Sequence, residues 1–406
     1  MSNVPQLRFK EFGSEWEEIL LDKIAVFSKG KGVSKADLAE DGKTECIRYG
    51  ELYSQYNELI QDVVSKTNVD KEDLVLSEYG DIIIPASGEA QIDIATASCV
   101  LKDNVALGGD LNIIKTKEDG VFLSYYLNNA KKIDIARLSQ GISVVHLYSS
   151  QLKTLKLNIP SKPEQKKISS FFTSVDTRIE QLTKKEELLQ QYKKGVMQKI
   201  FSQEIRFKAD DGSEFPEWEE KKLNELMFEH KERNYEQKFD KNDVLSVSGT
   251  YGIVNQIEFQ GRSFAGASVD NYHIVEVNDI VYTKSPLKSN PYGIIKVNQY
   301  KAGIVSTLYA VYRPKENLLS EYLGFYFQLD DNVNRYLRPL VHKGAKNDMK
   351  INNSYAISDS ITIPSKQEQT KIANFLSSID FKIEQVQKQL DATKAFKKGL
   401  FQQMFV

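Results

Sequence analysis

A chain that catalyses a reaction must bring a nucleophile, an acid–base pair, a metal cluster or a phosphate cradle to one place, and each leaves a recognisable spacing. The nearest approach to a phosphate loop, Ser28 to Lys35 (SKGKGVSK), lacks the G-x-x-x-x-G-K-[ST] spacing whose backbone N–H groups would hold the phosphates. There is no G-x-S-x-G elbow and no H-E-x-x-H metal motif. The histidines, His146, His230, His273 and His342, are scattered, and Cys46 and Cys99 have neither a C-x-x-C partner nor a histidine nearby. Ser289-Asn290-Pro291-Tyr292 approaches the Asn-Pro-Pro-Tyr type of motif that holds an exocyclic amine for methyl transfer. It lacks the second proline, and no glycine-rich nucleotide loop precedes it, so it reads as a turn. The expectation is a chain without catalysis of its own, without a metal and without a bound cofactor.

The whole-chain balance is close to neutral, 54 basic against 56 acidic residues, which argues against a non-specific polyanion binder but leaves room for a local basic face. At 406 residues the chain should hold two or more domains. Hydrophobic residues make up 41%, ordinary for a globular protein, and no apolar run is long enough to span a membrane. The opening MSNVPQLRFKEF has no apolar signal core, so the cytoplasm is the expected location.

What must position any binding residues is a stretch that the chain writes twice. Ile159 to Phe201 returns as Ile363 to Phe405 at a constant offset of 204, without a gap and with 20 of 43 positions identical. The identities include Pro160/Pro364, Glu164/Glu368, Gln165/Gln369, Asp176/Asp380 and Gly195/Gly399. A period near half the chain length means two large tandem units. Each copy reads as one long helix: Pro163 suits its start, and Glu164 and Glu368 sit in the first turn, where the helix dipole favours them. Apolar residues recur at steps of four and three, Ile168, Phe172, Val175, Ile179, Leu182, Leu189, Val196 and Ile200, then Ile372, Leu376, Ile379, Ile383, Val386, Leu390, Leu400 and Met404. That is a coiled-coil seam, interrupted by Glu186, Lys193, Thr393 and Lys397. About 38 residues at ~1.5 Å each give roughly 57 Å of helix. Two such stripes most simply bury each other; the alternative is that each packs on its own domain.

The repeat reaches beyond the helices. Arg8-Phe9-Lys10 returns as Arg206-Phe207-Lys208 at an offset of 198, and Trp16 as Trp218 at 202, so the second unit carries a four-residue insertion. Each tryptophan should anchor the core of its own unit. Between each opening and its helix lie β-branched runs broken by Gly, Asn and Asp. Gly80 to Gly88 (GDIIIPASG) matches Asn278 to Pro286 (NDIVYTKSP), again at 198. Leu111 to Thr116 and Thr307 to Pro314 are further strands, Phe122 to Ile133 and Ser320 to Gln328 short helices, and a last strand ends at Pro160 and Pro364. The expected fold class is α+β: two mixed α/β heads, 1–158 and 204–362, alternating with two long helices, 159–203 and 363–406. Paired as an antiparallel coiled coil, they would make a pseudo-two-fold molecule with two dissimilar heads.

With Pro5 to Phe9 and Trp16, their echo at Arg206-Phe207 and Trp218, the junctions Ile159-Pro160 to Glu164-Gln165 and Ile363-Pro364 to Glu368-Gln369, and the endings Lys194-Gly195 and Lys398-Gly399, the whole chain resembles the specificity subunit of type I restriction–modification systems. The resemblance implies that the heads are target recognition domains, each reading one half of a bipartite, asymmetric sequence in double-stranded DNA. The helices then fix the gap between the halves. It also implies two DNA adenine methyltransferase subunits and two restriction/translocase subunits as partners. S-adenosylmethionine, ATP and Mg would be used by those partners, with none in this chain.

On that footing the base- and phosphate-reading residue types select candidates in each head. In the first they are Lys29, Lys31 and Lys35 on a glycine-broken loop, Arg48 and Tyr49, Ser87 after the matched strand, and Ser143 and His146 before the last strand. In the second they are Ser248, Thr250 and Tyr251; Lys284, Ser285, Lys288, Ser289 and Asn290; and His342, Lys343, Lys346 and Asn347. Arg178, Lys184, Lys382 and Lys388 on the helix faces are candidates for partner contacts. Two other classes stay open: a coiled-coil scaffold with no DNA partner, and a fused methylation–restriction enzyme with an unrecognised active site.

Overall fold

The computed structural model describes residues 4–141, 144–266, 268–343 and 349–406. The chain divides into two compact units, one of residues 1–183 with 388–406 and the other of residues 184–387. The division falls inside the long helices, Lys162–Phe201 and Lys366–Met404, so each unit owns a head and a segment of both.

In the first unit a short antiparallel pair closes the head: Glu17–Leu20 runs against Lys156–Ile159 with Glu17 opposite Ile159. A five-stranded sheet follows in the order Ala25–Lys29, Leu111–Thr116, Asp81–Pro85, Ser98–Val100, Leu59–Ile60. The helices Gly120–Asn129 and Lys132–Leu138 cover it. Asp81–Pro85 is buried along its whole length, as expected of an unbroken β-branched run in the centre of a sheet.

The second unit repeats the frame with a different filling. Glu219–Lys222 pairs with Ser360–Ile363, Glu219 opposite Ile363, and a four-stranded sheet has the order Met227–Glu229, Tyr309–Pro314, Ile280–Thr283, Ile294–Val297. The matched strands keep their register. Ile83 faces Ile113 in one unit and Val281 faces Val311 in the other, both displaced by 198. The turn before them repeats too: Gly80 and Asn278 have φ of 92° and 73°, a left-handed turn that glycine and asparagine tolerate. Asp81 and Asp279 each accept the backbone N–H three residues upstream, of Glu78 and Glu276. The second unit also pairs Leu245–Ser248 with Gly252–Asn255, and His342–Lys343 with Met349–Lys350, both antiparallel.

Inside each unit the two long helices lie against each other and run antiparallel. Phe172 stacks on Phe401 at 4.5 Å and on Phe405 at 5.6 Å in the first unit. In the second, Met197 and Ile200 share a core with Ile372, Ala373, Leu376 and Ile379. The expected seam is largely the buried face: Ile168, Phe172, Leu182, Ile200, Leu376, Ile379, Val386 and Leu390 are all buried. So is Lys193, which the sequence marks as an interruption.

Candidate nucleic-acid interface

The residues that identify the repeat turn out to be a clasp that seats each head on its helix. Arg8 donates from Nε and Nη2 to the two oxygens of Glu164, both at 2.7 Å, and the Trp16 indole N–H donates to the same carboxylate at 3.4 Å. In the second unit Arg206 Nη2 donates to Glu368 Oε2 at 3.0 Å and Trp218 to the same oxygen at 3.1 Å. Glu164 is 1% exposed, and Glu368 is fully buried. A buried carboxylate is tolerable only with a charge partner and full hydrogen bonding, which the forked guanidinium supplies. The pairing pushes the Arg8 and Arg206 guanidinium pKa values above their ordinary value.

The glutamines that follow complete the joint. Gln165 donates to the Pro160 carbonyl and accepts from Asp119 N–H; Gln369 donates to the Pro364 carbonyl and accepts from Leu319 N–H. Phe9 meets Phe171 edge-on at 5.8 Å, and Phe207 meets Phe375 at 5.4 Å. Helix-dipole placement of Glu164 and Glu368 is thus the smaller part of their role.

In the first head the fold gathers several of the proposed DNA readers. The two-residue strand Val145–His146 pairs with Ser87–Gly88, putting His146 opposite Ser87. His146 stacks on Tyr148 at 6.0 Å, and Lys29 Nζ lies 5.7 Å from the same tyrosine ring. Tyr53 Oη donates to the Ser87 carbonyl at 2.8 Å, and Tyr49 stands edge-on to Tyr53. Lys29, His146, Tyr148, Tyr49 and Tyr53 are exposed, whereas the Ser87 side chain is only 7% exposed. A cationic and aromatic surface of this kind can meet phosphate oxygens with its amine and sugar or base edges with its rings. Arg48 is spent largely inside, donating to Glu51 at 3.2 Å. Lys31 pairs with Asp73 at 3.4 Å, and exposed Lys35 opens a one-turn helix capped by Ser34.

In the second head the hairpin tip and the loop after Thr283 are neighbours, since a side chain at Gly249 would meet Leu287 at 3.5 Å. Tyr251, Ser285, Lys288 and Ser289 are exposed there, and Ser248 accepts the Tyr251 N–H. Burial holds the Lys284 amine below its ordinary pKa, with Glu229 opposing the shift. Asn290 faces inward at 4% exposure, its amide donating to Asp330 and its oxygen accepting from Ser289, so it shapes the turn that the sequence suggests. Thr250 lines a cleft of about 760 Å³ with Lys193, Asp330, Arg335 and Asp380, facing the helices. His342 and Lys343 lie on a short strand opposite Lys350 and Met349, while Ser143, Lys346 and Asn347 lie outside the described residues. Arg178, Lys184, Lys382 and Lys388 are all on exposed helix faces.

The selection from sequence passed over Tyr53 and Tyr148. Their signal is an aromatic beside a selected residue, Tyr49 or His146, which becomes meaningful only once both are exposed together. Among the described residues no helix is long and apolar enough to cross a membrane, and no group of three or more His, Cys, Asp or Glu is placed to hold a metal ion.

The model of the type I restriction modification DNA specificity domain matches the chain twice, over residues 13–190 and 216–393. A putative type I restriction enzyme MjaX specificity subunit of Methanocaldococcus jannaschii is 26% identical over 307 residues, covering 70% of this chain and 67% of that one. The type I restriction enzyme MjaVIII specificity subunit of the same organism is 24% identical over 220 residues, with 52% of this chain and 49% of that one covered. The crystal structure of the type I restriction–modification S subunit from M. genitalium has the same fold, with a TM-score of 0.61 at 16% identity over 99% of both chains.

Proposed function

Because the chain belongs to the type I restriction modification DNA specificity family and carries that family's domain twice, we propose that it is the sequence-reading subunit of a type I restriction–modification complex. Each head, 1–158 and 204–362, reads one half of a bipartite duplex target. The helical segments 159–203 and 363–406 set the gap between the halves and receive the other subunits. The chain contributes recognition. Methylation of adenine with S-adenosylmethionine, and ATP- and Mg-dependent translocation and cleavage, reside in two methyltransferase and two restriction subunits.

The observation that carries this reading is a constant frame around unlike contents. The clasp Arg8–Trp16–Glu164 recurs as Arg206–Trp218–Glu368, while the surfaces beside it differ. Lys29, His146 and Tyr148 form one such surface; Tyr251, Ser285 and Lys288 belong to the other. A repeated frame suits repeated partners, and unlike surfaces suit an asymmetric target.

The test is assembly of the chain with its methyltransferase subunits, followed by mapping of the methylated adenines and a gel shift on the deduced duplex. Two unlike half-sites at a fixed gap are expected. Inserting residues beside Gln203 should lengthen the accepted gap and leave both half-sites unaltered. Failure of the assembled complex to bind any duplex would leave the scaffold reading in its place, and altered half-site sequences would contradict the role of the helices.

A further inference from the structure

Two of the four interruptions in the helical stripes, Lys193 and Lys397, are where the two long helices are joined by ion pairs, whereas Glu186 and Thr393 bond within their own helix. In the second unit Lys193 Nζ lies 2.6 Å from Asp380 Oδ1, donates to Gln328 at 3.1 Å, and sits 4.9 Å from the Phe325 ring centroid. In the first unit Lys397 Nζ lies 2.6 Å from Asp176 Oδ1 and 3.3 Å from Glu58, over the rings of Tyr125 and Phe401. Tyr125 Oη donates to the other oxygen of Asp176 at 2.5 Å.

These are the same residues written twice. Lys193 and Lys397 are repeat mates at the 204 offset, and so are Asp176 and Asp380. Each lysine takes the aspartate of the opposite helix. In both pairs, and in the stacked pair Phe172 and Phe401, the residue numbers add to 573. Each unit therefore holds the same antiparallel register by its own contacts. In each the pair also reaches into the head, through Gln328 and Phe325 or through Glu58 and Tyr125.

An apolar heptad seam is degenerate. A slip of one heptad sets apolar residues against apolar residues again, and moves one helix along the other by about 10 Å at ~1.5 Å per residue. Against DNA that is about three base pairs at ~3.4 Å each. An ammonium so little exposed, 9% for Lys193 and 15% for Lys397, does not tolerate the slip, because it would leave its carboxylate and keep its charge against the aromatic rings.

We propose that Lys193–Asp380 and Lys397–Asp176 are the register lock of the helical pair: positioning residues that hold each head at one place along the helices and restrict the complex to one gap length. The proposal rests on the recognition reading above.

Its test has two arms, both in the complex assembled with methyltransferase subunits. The first needs no DNA. Lys193→Asp should lower the melting temperature, adding Asp380→Lys should restore it, and adding the repeat mate Asp176→Lys should not. Equal rescue by both aspartate variants, or by neither, overturns the lock. The second arm replaces all four residues by leucine, which removes both ion pairs and keeps apolar packing against the Phe325, Tyr125 and Phe401 rings. Binding is then measured on duplexes with both half-sites fixed and the gap varied by up to three base pairs. The preference for the native gap should fall about tenfold or more, equivalent to ~1.4 kcal/mol, with half-site sequence unchanged. A four-leucine complex that melts like the parent and keeps the native gap preference overturns the proposal. A parent complex that binds no bipartite duplex overturns the recognition reading instead, and the rescue pattern still decides the lock.

Discussion

Arg8→Ala tests the clasp most directly. In the folded chain Glu164 is 1% exposed and is held by two Arg8 bonds of 2.7 Å and one Trp16 bond of 3.4 Å. Removing the guanidinium leaves a carboxylate inside the protein with one long N–H bond. Breaking a buried pair costs about 3–5 kcal/mol, and the Arg8 side chain, 11% exposed, admits some water, which sets the expectation at about 3 kcal/mol. Arg8→Lys keeps the charge but loses the fork, and should cost about half as much.

The readout is built in, because Trp16 and Trp218 are the only tryptophans and stand one in each unit. In a Trp218→Phe background the fluorescence reports the first unit alone. With a denaturant slope of about 2 kcal/mol per molar urea, the midpoint should fall by roughly 1.5 M. Arg8→Met with Glu164→Leu should recover most of the loss, since the charge left inside is what costs, rather than the missing bond. A midpoint that moves by less than about 0.25 M in Arg8→Ala would refute the argument.

Other consequences follow from the same geometry. Burial pushes the His273 imidazole down to about 4 from an ordinary value of 6.5, so it stays neutral when folded. As pH falls below 6.5 the unfolded chain takes up a proton that the folded chain refuses until about 4, and stability drops through that window. At pH 5 the loss is about 2 kcal/mol relative to neutral pH, and an unfolding series on His273→Gln should lack it. Gly195 and Gly399 stand in the helices with nothing near the position of a Cβ. Changing each to alanine should therefore raise the stability of the free chain by about 1 kcal/mol per site. If partner helices lie against these glycines, the same variants should weaken capture of methyltransferase subunits; unchanged capture would exclude that packing. Lys29→Ala with His146→Ala should weaken DNA binding by the assembled complex and reduce the salt slope by about one for each phosphate that is no longer neutralised. An unchanged slope would remove this surface from the interface.

Much of the frame was legible in the sequence because it is written twice. The 204 offset yields two helices of one pattern, the 198 offset yields two central strands in equivalent register, and the two tryptophans mark the two cores. Periodicity is local information, and helices and strands follow from it. Tertiary structure decided what faces what. The sequence presents Lys193 and Lys397 as faults in an apolar stripe; only the opposing helix supplies the aspartates that turn them into ion pairs. It offers Ser87 and Asn290 as outward groups, and the fold buries both side chains. The surface of Lys29, His146 and Tyr148 joins residues more than a hundred positions apart, Lys29 from the edge strand of the five-stranded sheet and His146 from a two-residue strand that no pattern announces. Which polar group meets solvent depends on packing between segments distant in the chain, and a one-dimensional pattern does not carry that.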